Sequence, residues 1–214
     1  MTEKLIRLLQ EKYPLRACDA GEFSALKASG MRFTVEAYEA EGLGHVSVMR
    51  ARGFFGLMKM DTLIVNPTER DLPLYSYDRI LAMGNDTLIA ELYDTTVGGF
   101  TAPELNALLE RSADLPDRDP GTHWYDGIRL PQSISKKGKK AQREAFDRLA
   151  QAHFAAWLGA DCRPLADRDA KRAKTDAYVE GLLTHGGPST DVFKKALGQE
   201  KTEQLFRQVL FGTK

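Results

Sequence analysis

With 214 residues, 43% of them hydrophobic, the chain has the composition of a globular protein long enough to bury a core without disulfides. Lys+Arg and Asp+Glu balance at 30 each, so no overall field directs the protein toward nucleic acid or a membrane. Its two cysteines, Cys18 and Cys162, lie outside any CxxC or Cys/His spacing, which argues against zinc, iron–sulfur and disulfide-stapled classes.

The opening "MTEKLIRLLQEKYP" sets Leu5, Ile6, Leu8 and Leu9 at helical spacing and stops near Pro14. It has no apolar run of signal-peptide length, and no later run approaches transmembrane length, so the expectation is a soluble, cytoplasmic, monomeric protein. From Met31 the period changes to that of short strands rich in β-branched and aromatic residues, separated by Gly or Pro turns. Such connections predict an antiparallel meander of five or six strands over residues 31–96. After Gly98-Gly99, Thr101 with Pro103 and Glu104 signals a helix start for "APELNALLERS". A proline-rich loop, "ADLPDRDPGTHWYDGIRLPQ", leads to helical patterns near 136–158, 166–184, 189–197 and 200–210. The order predicts a single domain over 1–214, a three-layer α/β/α sandwich around a central, mostly antiparallel sheet. There is no GxGxxG or Walker loop to suggest a nucleotide site, and no internal repeat.

Within the meander, "LPLYSYDRILAMGNDTLIAELYDTT" reads as a hairpin closed by Gly84-Asn85. That loop sets Ile80 opposite Ile89 and Asp78 opposite Glu91, two carboxylates side by side on a part-apolar face. Such a pair cannot ionise twice cheaply, so one member would hold a proton near neutrality and serve as a general acid. A solvated face, or an arginine that satisfies the pair, is the plainer alternative, and a one-residue slip would undo the pairing.

The segment "LIVNPTERDLPLYSYDRILAMGNDTLIAELYD" resembles the central part of the ferredoxin-dependent bilin reductases. It shares a strand ending in proline, a Leu-Pro step, a strand carrying an aspartate, a glycine turn and a return strand. The ending "VFKKALGQEKTEQLFRQVLFG" is similar to that family's last helices. The resemblance implies a reductase with no bound cofactor. Reduced ferredoxin or flavodoxin would supply electrons singly, and side chains would protonate a linear tetrapyrrole lying between the sheet and the C-terminal helices. It places the catalytic aspartate on Asp78, the proline on Pro67 and the Leu-Pro step on Leu72-Pro73. The family's commonest proton-donating histidine falls on Thr62, beside Asp61, and a carboxylate of the preceding strand falls near Arg50. Its Asn-Asp pair falls on Gly186-Gly187, with His185 just before. Glu91 is then the candidate second donor. A reductase of opened chlorophyll catabolites and a non-catalytic tetrapyrrole carrier are the alternatives on the same fold.

Other residues fit this reading. Arg50 and Arg52 are candidate partners for two propionates, since guanidinium binds carboxylate through a planar fork. His123 and Trp124, with Tyr125, stand in the proline-rich loop as candidate ligand contacts. Tyr75 and Tyr77 are further aromatic candidates, although both alternate away from the face of Asp78. His45 and His153 read as packing or surface residues. Two basic runs, Lys136–Arg148 and Arg163–Lys174, would suit an acidic ferredoxin by electrostatic steering. Neither is interleaved with aromatic residues as a nucleic-acid binder would be.

Overall fold

A computed structural model describes residues 1–162, 164–187 and 189–213, so Arg163 of the second basic run lies outside the described residues. The chain forms an eight-stranded, wholly antiparallel sheet between two helical layers. Helix α1 (Thr2–Gln10) precedes strands β1 (Leu15–Cys18), β2 (Ala25–Ala28), β3 (Met31–Ala40), β4 (Gly44–Gly53), β5 (Met58–Pro67), β6 (Leu74–Ala82) and β7 (Asn85–Tyr93). Helix α2 (Pro103–Arg111), edge strand β8 (Ile134–Lys139) and helices α3 (Arg143–Gly159), α4 (Arg168–His185), α5 (Thr190–Leu197) and α6 (Gln199–Gln204) complete it. A π-helical turn, Leu205–Leu210, continues α6. Among the described residues, no helix is long and apolar enough to cross a membrane.

The expected three-layer sandwich is present, and alternation along each strand decides which core a side chain joins. Val46, Val48, Leu63, Val65, Tyr75, Tyr77 and Leu88 pack under α1, α2 and α3, against Leu5, Leu105, Phe146 and Trp157. Phe33, Val35, Met49, Ile64, Leu74 and Tyr93 pack under α4–α6, against Tyr178, Leu182, Phe193 and Phe206. Both tyrosines of β6 therefore lie on the face away from Asp78. Tyr75 packs on Phe154 and Trp157, and its hydroxyl meets Nδ1 of His153 at 3.1 Å. His153 is fully buried, donates from Nε2 to the Gln132 carbonyl (2.8 Å), and has its pKa pushed down to about 4 by burial.

Three strands escaped the sequence pattern. β1 and β2 are four residues each and pair end to end along β3. β8, "ISKKGK", lies inside a run expected to be helical, and α3 starts only at Arg143. Lysines suit an edge strand because they discourage further strand pairing. Lys136 of β8 folds inward, donating to the Ser112 and Leu115 carbonyls and pairing with Asp117 at 2.6 Å. Lys171 is likewise buried, holding the Leu72 carbonyl at 2.6 Å, and Lys174 donates to the Thr96 carbonyl. Lys136 and Lys171 are thereby withdrawn from the surface, while Lys137, Lys139, Lys140, Arg143, Arg148, Arg168, Arg172 and Lys174 of the two basic runs stay exposed. At α2 the cap is Ala102 rather than Thr101, with no side-chain capping bond.

The β6–β7 hairpin also differs. Its loop is Met83-Gly84, both at positive φ (51° and 76°), so Ala82 pairs with Asn85 and Asp78 pairs with Ile89. Glu91 stands opposite Ser76, diagonal to Asp78 on the same face. Moving the loop by one residue shifts the pairing by two, which keeps every side chain on its face; alternation cannot distinguish the two registers. An ion pair can. Arg79 and Asp86, 6% and 1% exposed, meet on the α1–α3 face, with Asp86 bridging Nε at 2.5 Å and Nη2 at 2.9 Å. Replacing Asp86 with alanine should leave this guanidinium buried with only Asp147 nearby (3.3 Å), at a cost of about 3 kcal/mol measurable by urea unfolding.

Candidate active site

Between the sheet and α4–α6 lies a cavity of about 190 Å³. Its floor is Met49, Met60, Thr62, Asp78, Ile89 and Glu91 from β4–β7; its roof is Tyr178, Leu182, Phe206 and Leu210. The roof is fastened by polar side chains of the sheet. Nε2 of His45 donates to the Val209 carbonyl (2.8 Å), Ser47 to Leu210 (2.7 Å) and Asn66 to Phe211 (2.7 Å). The cavity borders a shallower groove of about 680 Å³ over the β7–β8 edge, and the two share Glu91, Arg118 and Pro120.

Asp78 is the cavity's distinctive group. It is half-buried, and it lines this space. Thr62, directly opposite on β5, donates to Asp78 Oδ1 at 2.5 Å. Burial raises the Asp78 pKa from the ordinary 3.8 to about 6; the Thr62 hydrogen bond opposes the shift and the negative charge of Glu91 adds to it. Glu91 has different company. Arg129 donates to its Oε1 (3.2 Å) and the Tyr93 hydroxyl to its Oε2 (2.5 Å), the surroundings of an ionised acceptor rather than of a proton donor. The two carboxylates thus share a face, about 7 Å apart by strand geometry, yet only one lacks a cation.

The remaining sequence candidates divide. Thr62 and His123 line the cavity, and His123 stacks on Tyr125 with centroids 4.8 Å apart. Trp124 does not reach the cavity lining. Its ring lies on α4 so closely that a Cβ at Gly181 would fall 2.2 Å from it, and its Nε1 donates to the Gly186 carbonyl (2.9 Å). His185 packs on Trp124 (5.7 Å), behind the cavity wall. Arg50 and Arg52 are corrected outright in position. Their places on β4 put them on the sheet face opposite Asp78, where they pair with Glu36 (2.9 Å) and Asp61 (2.6 Å). The arginines beside the cavity are Arg118 and Arg129, from the proline-rich loop.

Tyr125, a candidate from sequence, belongs to an aromatic wall whose other members, Tyr93 and Tyr178, sequence reasoning missed. Tyr93 and Tyr178 lie 4.3 Å apart and Tyr125 meets Tyr93 edge-on at 5.4 Å; burial holds all three hydroxyls protonated. The alternation of Asp78, Ile89, Glu91 and Tyr93 onto one face was a usable signal for Tyr93. Thr190, 1% exposed and lining the cavity, has a buried hydroxyl without a hydrogen-bond partner among the described residues. Among the described residues, no group of three His, Cys, Asp or Glu could hold a metal ion. An apolar, aromatic cavity with one carboxyl of raised pKa and an arginine-lined edge can bind a flat, conjugated acid and deliver a proton to it.

The Asp78 shift has a thermodynamic sign. Because its folded pKa lies above its unfolded value, its contribution to stability is fully present below pH 3.8 and is lost as pH rises through about 6. Asp78→Asn removes the ionisation, so the variant should match wild type near pH 3.8 and exceed it by about 2–3 kcal/mol at pH 8 in urea unfolding.

No protein family's profile matches the chain, and no curated protein matches it in sequence. Among solved structures it is similar to phytochromobilin synthase from tomato, determined in complex with biliverdin. The TM-score is 0.76 at 16% sequence identity, over 99% of this chain and 83% of that one. The two proteins share a fold.

Proposed function

We propose that the chain is a bilin reductase-like enzyme that reduces a linear tetrapyrrole, with electrons from reduced ferredoxin or flavodoxin. One observation carries the reading: Asp78, where the sequence resemblance puts a catalytic aspartate, faces an aromatic cavity in a surrounding that favours its protonated form. The fold shared with a biliverdin-binding protein supports it.

Reducing one carbon–carbon double bond consumes two electrons and two protons. In this reading the electrons arrive singly, and Asp78 donates a proton to the one-electron-reduced tetrapyrrole while Thr62 fixes the carboxyl's orientation. A second proton enters from solvent past His123, at the cavity's edge. Burial is the main cause of the raised Asp78 pKa and the charge of Glu91 adds to it, a supporting role in place of the donor role expected from sequence. Tyr93, Tyr125 and Tyr178 pack on the pyrrole rings, Thr190 offers an unpaired hydroxyl, and Arg118 and Arg129 replace Arg50 and Arg52 as propionate partners.

A non-catalytic carrier is the second reading. It is favoured by Thr62 and Gly186-Gly187 standing where the resemblance puts other proton donors. Adding biliverdin and then reduced ferredoxin under anaerobic conditions separates the two. An absorbance shift followed by a further colour change supports the enzyme; the first shift alone supports the carrier; neither sinks both.

For the enzyme, Asp78→Asn should lower turnover by roughly 100-fold or more while biliverdin affinity changes little. Turnover should also fall as pH rises through about 6, where Asp78 loses its proton. Glu91→Gln removes a charge that raises this pKa, so the fall should move to lower pH in a kcat profile. An unmoved profile would detach Glu91 from the proton transfer.

A further inference from the structure

At one end of the sheet, β3, β5 and β7 begin and β2, β4, β6 and β8 end. Two hairpin tips there carry large apolar side chains into solvent. Phe54, Phe55 and Leu57 of the β4–β5 connection are 55%, 108% and 70% exposed, and Met83 of the neighbouring β6–β7 turn is 89% exposed. Phe54, Phe55 and Met83 all have left-handed backbone (φ 50°, 54° and 51°), which costs roughly 1 kcal/mol for each such residue. A turn selected for stability would carry Gly, Asn or Asp at these places. Here strain and exposed apolar surface coincide in the same residues.

A second feature lies one strand-row inward. Lys27 pairs directly with Arg32, Arg32 with Arg52, and Arg52 with Lys59, so four cations stand in a line across β2–β5. All four are exposed, and among the described residues only Arg52 has an ion-pair partner, Asp61 at 2.6 Å. Like charges directly opposed in a sheet are destabilising, so the fold gains nothing from this row. Lys139 and Lys140 add exposed charge at the same end.

We propose that this end of the sheet binds an anionic lipid bilayer surface. Phe54, Phe55, Leu57 and Met83 enter the headgroup–acyl boundary, and the row Lys27–Arg32–Arg52–Lys59 meets the phosphates. The dimensions agree: Arg52 lies two residues behind Phe54, about 7 Å along an extended chain, within the roughly 5–10 Å depth of interfacial insertion. Apolar tips with a row of cations directly behind them match the order of acyl boundary and phosphates in an anionic bilayer. The zero net charge of the whole chain hides this local asymmetry, which is why composition argued against a membrane. The inference stands independently of the tetrapyrrole reading.

Flotation of the full chain with vesicles of phosphatidylcholine, with and without phosphatidylglycerol, tests it. Binding should require phosphatidylglycerol and weaken in high salt. Lys27→Gln with Lys59→Gln should weaken it by more than tenfold, at about fivefold per cation. Phe54→Asn with Phe55→Asn should weaken it by roughly tenfold or more, with the melting temperature unchanged or raised because Asn tolerates the turn. Absence of binding to phosphatidylglycerol vesicles overturns the proposal. So does binding that is indifferent to the charge of the lipid, or that survives both double variants. Cation-dependent binding of purified acidic ferredoxin without vesicle binding would assign the row to a protein partner and overturn it equally.

Discussion

The ion pair between Arg79 and Asp86 decides where the chemistry of this protein stands. It lies on the α1–α3 face of β6 and β7, with the guanidinium 5.3 Å from the ring of Phe146 and Asp147 of α3 at 3.3 Å. It thereby locks two strands to each other and to a helix. Hydrophobic alternation tolerates a two-residue slip between β6 and β7, because both registers send the same side chains to the same cores. The ion pair does not, since a slip carries Asp86 out of reach. On the opposite face of the same strands, that choice makes Asp78 and Glu91 diagonal neighbours and puts Thr62 of β5 directly across from Asp78.

The two buried carboxylates of β6–β7 then receive contrasting treatment. Asp86 accepts a bidentate guanidinium with Arg143 near by, whereas Asp78 has a single hydroxyl. A fold optimising stability alone would compensate both, because an uncompensated buried charge costs several kcal/mol or is neutralised by a proton. Asp78 moves toward the second course, burial raising its pKa to about 6. Glu91, held in place by Arg129 and Tyr93, supplies a fixed negative charge that makes the proton harder to lose. Environments that separate two carboxylates in this way are how one site obtains an acid and an anion at the same pH.

Much of this was legible in the sequence and some was not, for physical reasons. Short runs rich in β-branched and aromatic residues between Gly and Pro turns announce strands, so β3–β7 and the sharing of one part-apolar face by Asp78, Ile89 and Glu91 could be read directly, though not the register that pairs Asp78 with Ile89. β8 could not, because an edge strand is protected by the lysines that also suggest an exposed helix. Arg50 and Arg52 were legible in kind but not in direction, since their role depended on parity relative to a strand two places away. Arg118 and Tyr178 reach the cavity, and Arg129 its adjoining groove, from a loop and a helix whose approach only tertiary packing determines. The anchoring of the last turn by His45, Ser47 and Asn66 joins residues more than 140 positions apart, which local patterns cannot carry.

That anchoring bears on how the cavity admits anything large. The three hydrogen bonds lie at the sheet end where β4 starts and β5 finishes, and they fasten the π-helical turn that carries Leu210 into the roof. Opening the roof at that end would strand three buried carbonyls, each at a cost comparable to a lost hydrogen bond. At the β7–β8 edge the wall is instead the loop bearing Arg118, Pro120 and His123, which is tied to β7 and β8 near its two ends, by backbone bonds from Arg118 to Ser135 and from Leu130 to Leu92 and by the Arg129–Glu91 ion pair. The cavity is therefore closed at its anchored end and continues beside Glu91 into the groove lined by Arg118 and Arg129. In that direction an elongated molecule meets its cations at one end and the Asp78 carboxyl at the other.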